Sequence, residues 1–216
     1  MVHCRTGAAC LAAAALSHLF SALLWPSGSE GDTPTQLAAA AAHAGRTVLA
    51  AGLDMLSWWL LVPAVVGLVA ALPGRGRTLG LVSAVLTTLG AFAVTAGTML
   101  NVVAIVFGRR HADPALYDAI KHDAAVGVFV VLLLAGVVGQ LLISAAAWRG
   151  GLVAWWAPAL MLAGTVATEL VFAESTGLLT ALGYLPVLVA QVTVARGMAQ
   201  QPAGDRVRDP EPVAAH

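Results

Sequence analysis

The sequence predicts an all-α membrane protein, a bundle of six transmembrane helices with the N-terminus and the C-terminus in the cytoplasm. Of its 216 residues, 59% are hydrophobic and only 10% are charged, whereas charged residues make up about 25% of a typical soluble domain. About 20 apolar residues are needed to span the hydrocarbon core of a bilayer, and six runs reach that length without the breaks expected of barrel strands. The predicted spans are 7–25, 48–72, 79–107, 124–147, 152–173 and 177–195.

The first and last segments set the limits of this membrane domain. Arg5 followed by an apolar run resembles a secretory signal, but the run is too long and no clean cleavage site follows Pro26. We therefore predict a first transmembrane helix there, within a six-span domain over residues 1–196. Residues 197–216 contain prolines and charges with little to bury, which is typical of a disordered cytoplasmic tail.

Helix-breaking segments lie between the predicted spans. The stretches WPSGSEGDTPTQ, LPGRGR, WRGG and AESTG have the composition of loops. The remaining loop, GRRHADPALYDAIKHDAAVG, should hold a short helix, because Asp113 suits the N-cap and Pro114 the first helical position. That helix could continue directly into the fourth span. Within the fourth span, Gly136 and Gly139 are typical of close helix contacts.

Basic residues in the loops orient the bundle, because cytoplasmic loops carry an excess of Lys and Arg. With the N-terminus inside, seven of the 11 basic residues lie on the cytoplasmic side and four outside. We therefore expect a multi-pass protein of the cell (inner) membrane. The inner set is Arg5, Arg75, Arg77, Arg149, Arg196, Arg206 and Arg208, and the outer set is Arg46, Arg109, Arg110 and Lys121.

Composition also limits the partners. The lipid bilayer is the expected partner, and the balance of 11 basic against 11 acidic residues argues against nucleic acid. Cys4 and Cys10 offer neither metal-ligand spacing nor a disulfide framework. The His and Asp residues of the third loop match no strong zinc pattern. Since His18 is the only histidine well inside a span, we expect no haem, no other cofactor and no metal, while the oligomeric state stays open.

Polar side chains inside the spans indicate where a site would lie. A charge near the bilayer centre costs about 2.5–3.5 kcal/mol on insertion scales, so such residues usually face the bundle interior. Counting along the helices places Asp54 and Glu169 in the outer half, with other polar residues at the same level. We therefore predict an outward-facing cavity that binds a small or lipid-like ligand. The candidate binding residues are His18, Asp54, Trp58, Thr98, Asn101 and Glu169, accompanied at that level by Ser21, Thr165, His122 and Asp123.

Three other interpretations stay open. The polar residues could hold helices together, at about 0.6 kcal/mol each, in a structural membrane partner. Alternatively, Asp54 or Glu169 could act as the general acid of a membrane-embedded enzyme on an isoprenoid or lipid substrate, with Trp58 sheltering a cation. A small proton-coupled transporter is the third. Asp54→Asn separates them, since it should alter stability or occupancy, turnover, or pH-driven uptake, respectively.

Three quoted segments carry a family resemblance. The second span opens with an acid in VLAAGLDML, a basic turn LPGRGRTLG follows, and WRGGLVAWWAPALMLAG leads into a Trp-bearing fifth span. In this order of features, residues 5–197 resemble a family of small six-helix bacterial integral membrane proteins of unknown function. The resemblance implies six helices and the position of Asp54, and it carries no activity. The third span here, LGLVSAVLTTLGAFAVTAG, lacks the charged residues that members often have.

Overall fold

The computed structural model describes residues 2–26, 32–168 and 178–201, and these fold into eight α-helices without a β-strand. The helices are α1 (Val2–Leu24), α2 (Thr33–Ala42), α3 (Ala44–Ala71), α4 (Gly74–Arg109), α5 (Pro114–Lys121), α6 (Ala124–Arg149), α7 (Trp156–Val166) and α8 (Leu178–Gln200). Five of them, α1, α3, α4, α6 and α8, are long and apolar enough to cross a membrane. The all-α prediction is confirmed, and the chain is a multi-pass membrane protein.

The fifth predicted span, 152–173, is present only in part among the described residues. Residues 152–155 form a non-helical connection, and α7 has 11 residues. Most of the remainder of the span falls in 169–177, outside the described residues. Five spans are therefore established by length and composition, and the sixth stays a prediction.

The helices extend beyond the apolar runs that predicted them. α3 begins at Ala44 rather than at 48, and α4 covers Gly74–Arg109 rather than 79–107. α8 continues to Gln200, so its last turn occupies the first part of the predicted tail, while residues 202–216 lie outside the described residues. An apolar run measures the length buried in lipid, whereas caps and turn residues decide where the helix ends.

One helix, α2, was missed in the first long loop, which we took to be a connection. The Asp32 side chain caps it by accepting a hydrogen bond from the Thr35 N–H at 3.2 Å. Hydrogen bonds from the side chain and the backbone of Thr35 lower the pKa of Asp32. Leu37 of α2 is buried in a small cluster with Tyr117 of α5. This contact stabilises α2, and it could not be predicted from the alanine-rich sequence of the helix.

The short helix in the third loop is confirmed as α5. Its N-cap is Asp113, whose side chain accepts a hydrogen bond from the Ala115 N–H at 2.9 Å. It does not continue into the fourth span. Asp123 leaves helical geometry and caps α6 instead, accepting a hydrogen bond from the Ala125 N–H at 2.8 Å.

Six helices form a closed ring around the main core. α1 packs on α3 and α8, α4 packs on α3 and α6, and α7 packs on α6 and α8. The order around the ring is therefore α1, α3, α4, α6, α7, α8. Leu11, Leu61, Leu68, Ile143 and Val194 are buried in the main core, to which α1, α3, α4, α6 and α8 contribute.

Glycines bring α4 and α6 into close contact. A Cβ added to Gly90 would lie 2.6 Å from the Gly136 Cα, and one added to Gly139 would lie 2.6 Å from the Thr87 nitrogen. Both approaches are shorter than any real Cβ contact, so only glycine fits at these positions. Trp58 of α3 packs into the same crossing, next to Gly90 and Gly136. The close contacts predicted for Gly136 and Gly139 are confirmed.

The two ends of the bundle differ. We call the end that carries α2 and α5 the capped end, and the opposite end, with the α3–α4 and α6–α7 connections, the turn end. At the turn end Gly76 packs against Gly150. Gly7, near the start of α1, packs against the end of the Met198 side chain in α8. The first and last described helices therefore lie side by side at the turn end.

Candidate functional site

A cavity of about 250 Å³ lies inside the ring, in the half nearer the capped end. Every ring helix contributes to its wall, although Thr168 lies just beyond the end of α7. A cavity with this many contributors depends on the order of the helices, which spacing along the chain does not reveal. Each of the six ring helices contributes a polar residue to the lining. In ring order, these include His18, Asp54, Asn101, Gln140, Thr165 and Tyr184.

The central contact of the site is a His–Asp pair that joins α1 to α3. His18 Nε2 lies 2.9 Å from Asp54 Oδ1, and the exposed fractions of the two side chains are 8% and 33%. The imidazole is therefore enclosed while the carboxylate keeps an accessible surface on the cavity. His18 Nδ1, on the other side of the ring, is buried without a hydrogen-bond partner among the described residues. His18 therefore orients the carboxyl group of Asp54, and part of that group is exposed to the cavity.

Two aromatic rings hold the imidazole in place. Tyr184 stacks on His18 with ring centroids 5.2 Å apart and an interplanar angle of 22°. Trp58 meets the same imidazole edge-on, at 6.1 Å and 70°. Stacked and T-shaped arrangements are the favoured geometries of aromatic pairs. Because Trp58 is one turn beyond Asp54 in α3, the acid and one aromatic wall share a helix face, as the spacing predicted.

Two threonine hydroxyls of the cavity are left mainly as acceptors. The Thr98 hydroxyl donates to Val94 O at 2.9 Å, and the Thr165 hydroxyl donates to Met161 O at 2.8 Å. Each hydroxyl hydrogen is thereby used within its own helix, and the oxygen still has acceptor capacity. The side-chain amides of Asn101 and Gln140 hydrogen-bond to no described residue. They are the groups that can both donate to and accept from a bound molecule.

No Lys or Arg is found among the described residues that line the cavity. Arg46, a possible neighbour of Asp54 by sequence, caps the C-terminus of α1 instead. Its guanidinium donates to the carbonyl oxygens of Leu23 and Trp25, at 3.2 and 3.3 Å, where a cation complements the helix dipole. The acidic side chain that the described lining presents is therefore Asp54, in contact with His18.

The structure brings together five of the six candidate binding residues. His18, Asp54, Trp58, Thr98 and Asn101 all line this one cavity. The sixth, Glu169, lies outside the described residues. Their position around one cavity is observed, and their role in binding stays a prediction.

Some residues expected at the same level lie elsewhere. Ser21 donates a hydrogen bond to Ala50 O at 2.9 Å and ties α1 to α3. Nδ1 of His122 lies 3.5 Å from an Asp118 carboxylate oxygen at an exposed position. Asp123 caps α6. These side chains do not line the cavity. Each has a structural partner at a helix end or between two helices.

The lining also contains residues that the sequence did not select as candidates, among them Gln140 and Tyr184. Gln140 lies about 24 Å along α6 from Ala124, deeper than the candidate residues, and the cavity extends inward to it. Tyr184 was not singled out at all. The signal that could have found it is a phenol inside an otherwise apolar span, since a buried Tyr hydroxyl usually needs a polar partner.

Among the described residues, no group of three or more His, Cys, Asp or Glu side chains is arranged to hold a metal ion. The chain matches no protein-family model, no curated protein and no solved structure. The resemblance to small bacterial membrane proteins therefore stays a prediction.

Proposed function

We propose that this chain is a six-span bacterial inner-membrane protein that binds a small or lipid-like ligand in the cavity around the His18–Asp54 pair. The observation that carries the proposal is an accessible carboxylate, oriented by an enclosed imidazole, in a cavity walled by six helices. Concave sites with an apolar lining and a few convergent polar groups are the usual form of ligand pockets. A purely structural role needs polar contacts between helices and does not need the space.

The span number and orientation belong to the proposal as well. The start of α1 and the end of α8 lie together at the turn end, which an even number of crossings requires. The excess of Arg in the segments at that end supports a cytoplasmic position. Single cysteines at Ala38, Thr78 and Ala203, in a variant without Cys4 and Cys10, test this arrangement. A cysteine at Thr78 or Ala203 should label from the cytoplasmic side and one at Ala38 from the other, and any other pattern contradicts the six-span proposal.

The binding proposal is tested by filling the cavity. A Cβ added to Gly97 meets nothing within 4 Å, and Gly97 lines the cavity. Gly52 of α3 also has open space around an added Cβ and does not line the cavity, so Gly52→Leu is the matched control. Gly97→Leu should occupy the site without displacing a neighbour. Native mass spectrometry of gently solubilised protein compares these variants with wild type and with Asp54→Asn.

We expect a discrete bound mass in wild type and in Gly52→Leu. Gly97→Leu should lose it, and Asp54→Asn should weaken it. If wild type carries no bound mass, or if Gly97→Leu retains it fully, the cavity is not the binding site. A clean apo mass in every variant, with Asp54→Asn merely less stable, supports the structural-partner interpretation instead.

The aromatic wall favours one second candidate, a membrane-embedded enzyme with Asp54 as general acid. Trp58 and Tyr184 both contact His18, so two π-systems lie beside the His18–Asp54 pair. Such a wall can shelter a cation formed on protonation of an isoprenoid or lipid substrate. The two candidates differ in what happens to the bound molecule. Incubation with an identified ligand should leave its mass and structure unchanged for a binding protein and should convert it for an enzyme.

A further inference from the structure

An apolar groove opens on the ring surface between α4 and α6, beside the cavity. It has a volume of about 400 Å³, and every residue in its lining is Ala, Gly, Met, Leu, Val or Phe. The side chains of Met99 and Val130 are more than half exposed there. Because α4 and α6 are both predicted to cross the bilayer, this groove faces hydrocarbon.

The groove and the polar cavity share part of their walls. Ala93, Gly97 and Leu133 line both spaces. Gly97 has no side chain at this junction, and open space surrounds the place where one would lie. The wall between the polar cavity and the apolar groove is therefore thinnest in side-chain atoms at Gly97, where a chain attached to a polar end at Asp54 would have to pass.

The two volumes suit a ligand that occupies both. Ligand pockets typically measure roughly 300–1,000 Å³, and the cavity alone, at about 250 Å³, is below that range. The adjoining groove contributes space of the chemistry that a hydrocarbon chain requires. A ligand confined to the cavity would be small, whereas a ligand in both spaces would be a chain with a polar end.

The cavity also selects the chemistry of the polar end. Its carboxylate and its Thr98 and Thr165 oxygens accept hydrogen bonds, and no Lys or Arg is present among the described lining residues. A phosphate or carboxylate head would lie beside the Asp54 carboxyl group with only neutral donors such as Asn101 and Gln140 to pair with, since His18 already contacts Asp54. A hydroxyl or an amine would instead donate a hydrogen bond to the carboxylate.

We propose that the ligand is a single-chain amphiphile whose head donates hydrogen bonds, an alcohol or amine, with the head at Asp54 and the chain in the α4–α6 groove. This inference rests on the proposed function and specifies the class of its ligand. Asp54 contacts the head, His18 is a positioning residue that orients Asp54, and Gly97 leaves the passage for the chain.

The test uses the full chain in lipid nanodiscs and hexadecanol that carries a photoreactive diazirine in its chain. After irradiation, mass spectrometry locates the cross-links. We expect them in the groove segments of α4 and α6, near Met99 and Phe129. Labelling should persist in Gly52→Leu and be lost in Gly97→Leu, with both variants checked for an unchanged size-exclusion profile. Equal labelling in Gly97→Leu would show that the groove is ordinary lipid-facing surface and would overturn the proposal.

Competition tests the head. Unlabelled hexadecanol and hexadecylamine should displace the probe at about tenfold lower concentration than palmitate, because palmitate places a second carboxylate beside Asp54. In Asp54→Asn that preference should fall to about onefold, since the like-charge pair is absent. Equal competition by all three in wild type would contradict the assignment of the head.

The two proposals fail in different ways. Native mass spectrometry could show a bound mass that Gly97→Leu removes while the competition experiment shows no preference for the head group. In that case the cavity is a binding site and only the ligand class is wrong. If no bound mass is found and no competition occurs, both proposals are wrong.

Discussion

The pair formed by α4 and α6 is closed at one level and open at another. At Gly90 the backbones are in contact, since an added Cβ would lie 2.6 Å from the Gly136 Cα. At Gly97, two turns and about 10 Å further along α4, an added Cβ would meet nothing within 4 Å. Both residues are glycines in one helix. The difference shows that a glycine closes a contact only where another backbone faces it, and otherwise leaves space.

Hydrogen bonds follow the same division. At the closed level Ser83 Oγ donates across the pair to Gly139 O at 2.8 Å, a buried contact. At the open level Thr98 donates chiefly to its own helix, to Val94 O. The closed crossing is thus held by a hydrogen bond between α4 and α6, whereas Thr98 at the open level donates no hydrogen bond to α6.

The largest expected effect concerns the tryptophan that packs into the closed crossing. Trp58 is 4% exposed and contacts Gly90 and Gly136, whereas the neighbouring Trp59 is 39% exposed. Trp58→Ala should destabilise the protein by about 3–5 kcal/mol, as large-to-small core changes do. Trp59→Ala should cost clearly less. Thermal unfolding in detergent, followed by circular dichroism, compares the two. Similar losses would mean that Trp58 does not hold the crossing.

Adding one methyl group to each glycine tests the comparison directly. Gly136→Ala should destabilise by about 1–3 kcal/mol, because the new Cβ overpacks the contact with Gly90 and Trp58. Gly97→Ala should be neutral or stabilising by up to about 1 kcal/mol, through higher helix propensity in an open position. The same unfolding measurement applies. If Gly97→Ala is the more harmful change, the open and closed levels are assigned the wrong way round.

The smallest effect separates a bond between helices from one within a helix. Ser83→Ala removes the donor to Gly139 O and should cost about 0.6 kcal/mol, the average for such bonds between membrane helices. Thr88→Ala removes a bond to Ala84 O in the same helix and serves as the control, with a smaller expected loss. A double-mutant cycle with Gly136→Ala should then show coupling for Ser83 and none for Thr88.

The elements of the candidate site were accessible from sequence because polar residues are costly in lipid. His18, Asp54, Thr98 and Asn101 were selected as polar side chains in apolar spans at one level, and all four line the cavity. The partner of Asp54 was not accessible, because depth along separate helices does not tell which side chains meet. The ring order, with α1 beside α3, places His18 within 2.9 Å.

The errors in the fold have similar causes. α2 was missed because its short alanine-rich segment is stabilised by burial of Leu37 next to Tyr117, a contact between distant parts of the chain. Gln140 was not selected as a binding candidate because it lies deeper along its helix than the other polar residues, whereas the cavity extends inward to it. Both required knowledge of which helices are neighbours.

The chain's apolar runs determine its all-helical, multi-pass character, since in lipid each helix must satisfy its own backbone hydrogen bonds and the length of an apolar run decides whether it spans. The polar residues inside those runs also mark where chemistry is concentrated. The closed ring, the His18–Asp54 pair and the wall that cavity and groove share at Gly97 come from packing between helices. Packing depends on which backbone faces each small residue, and that information is spread over the whole bundle rather than carried by any one span.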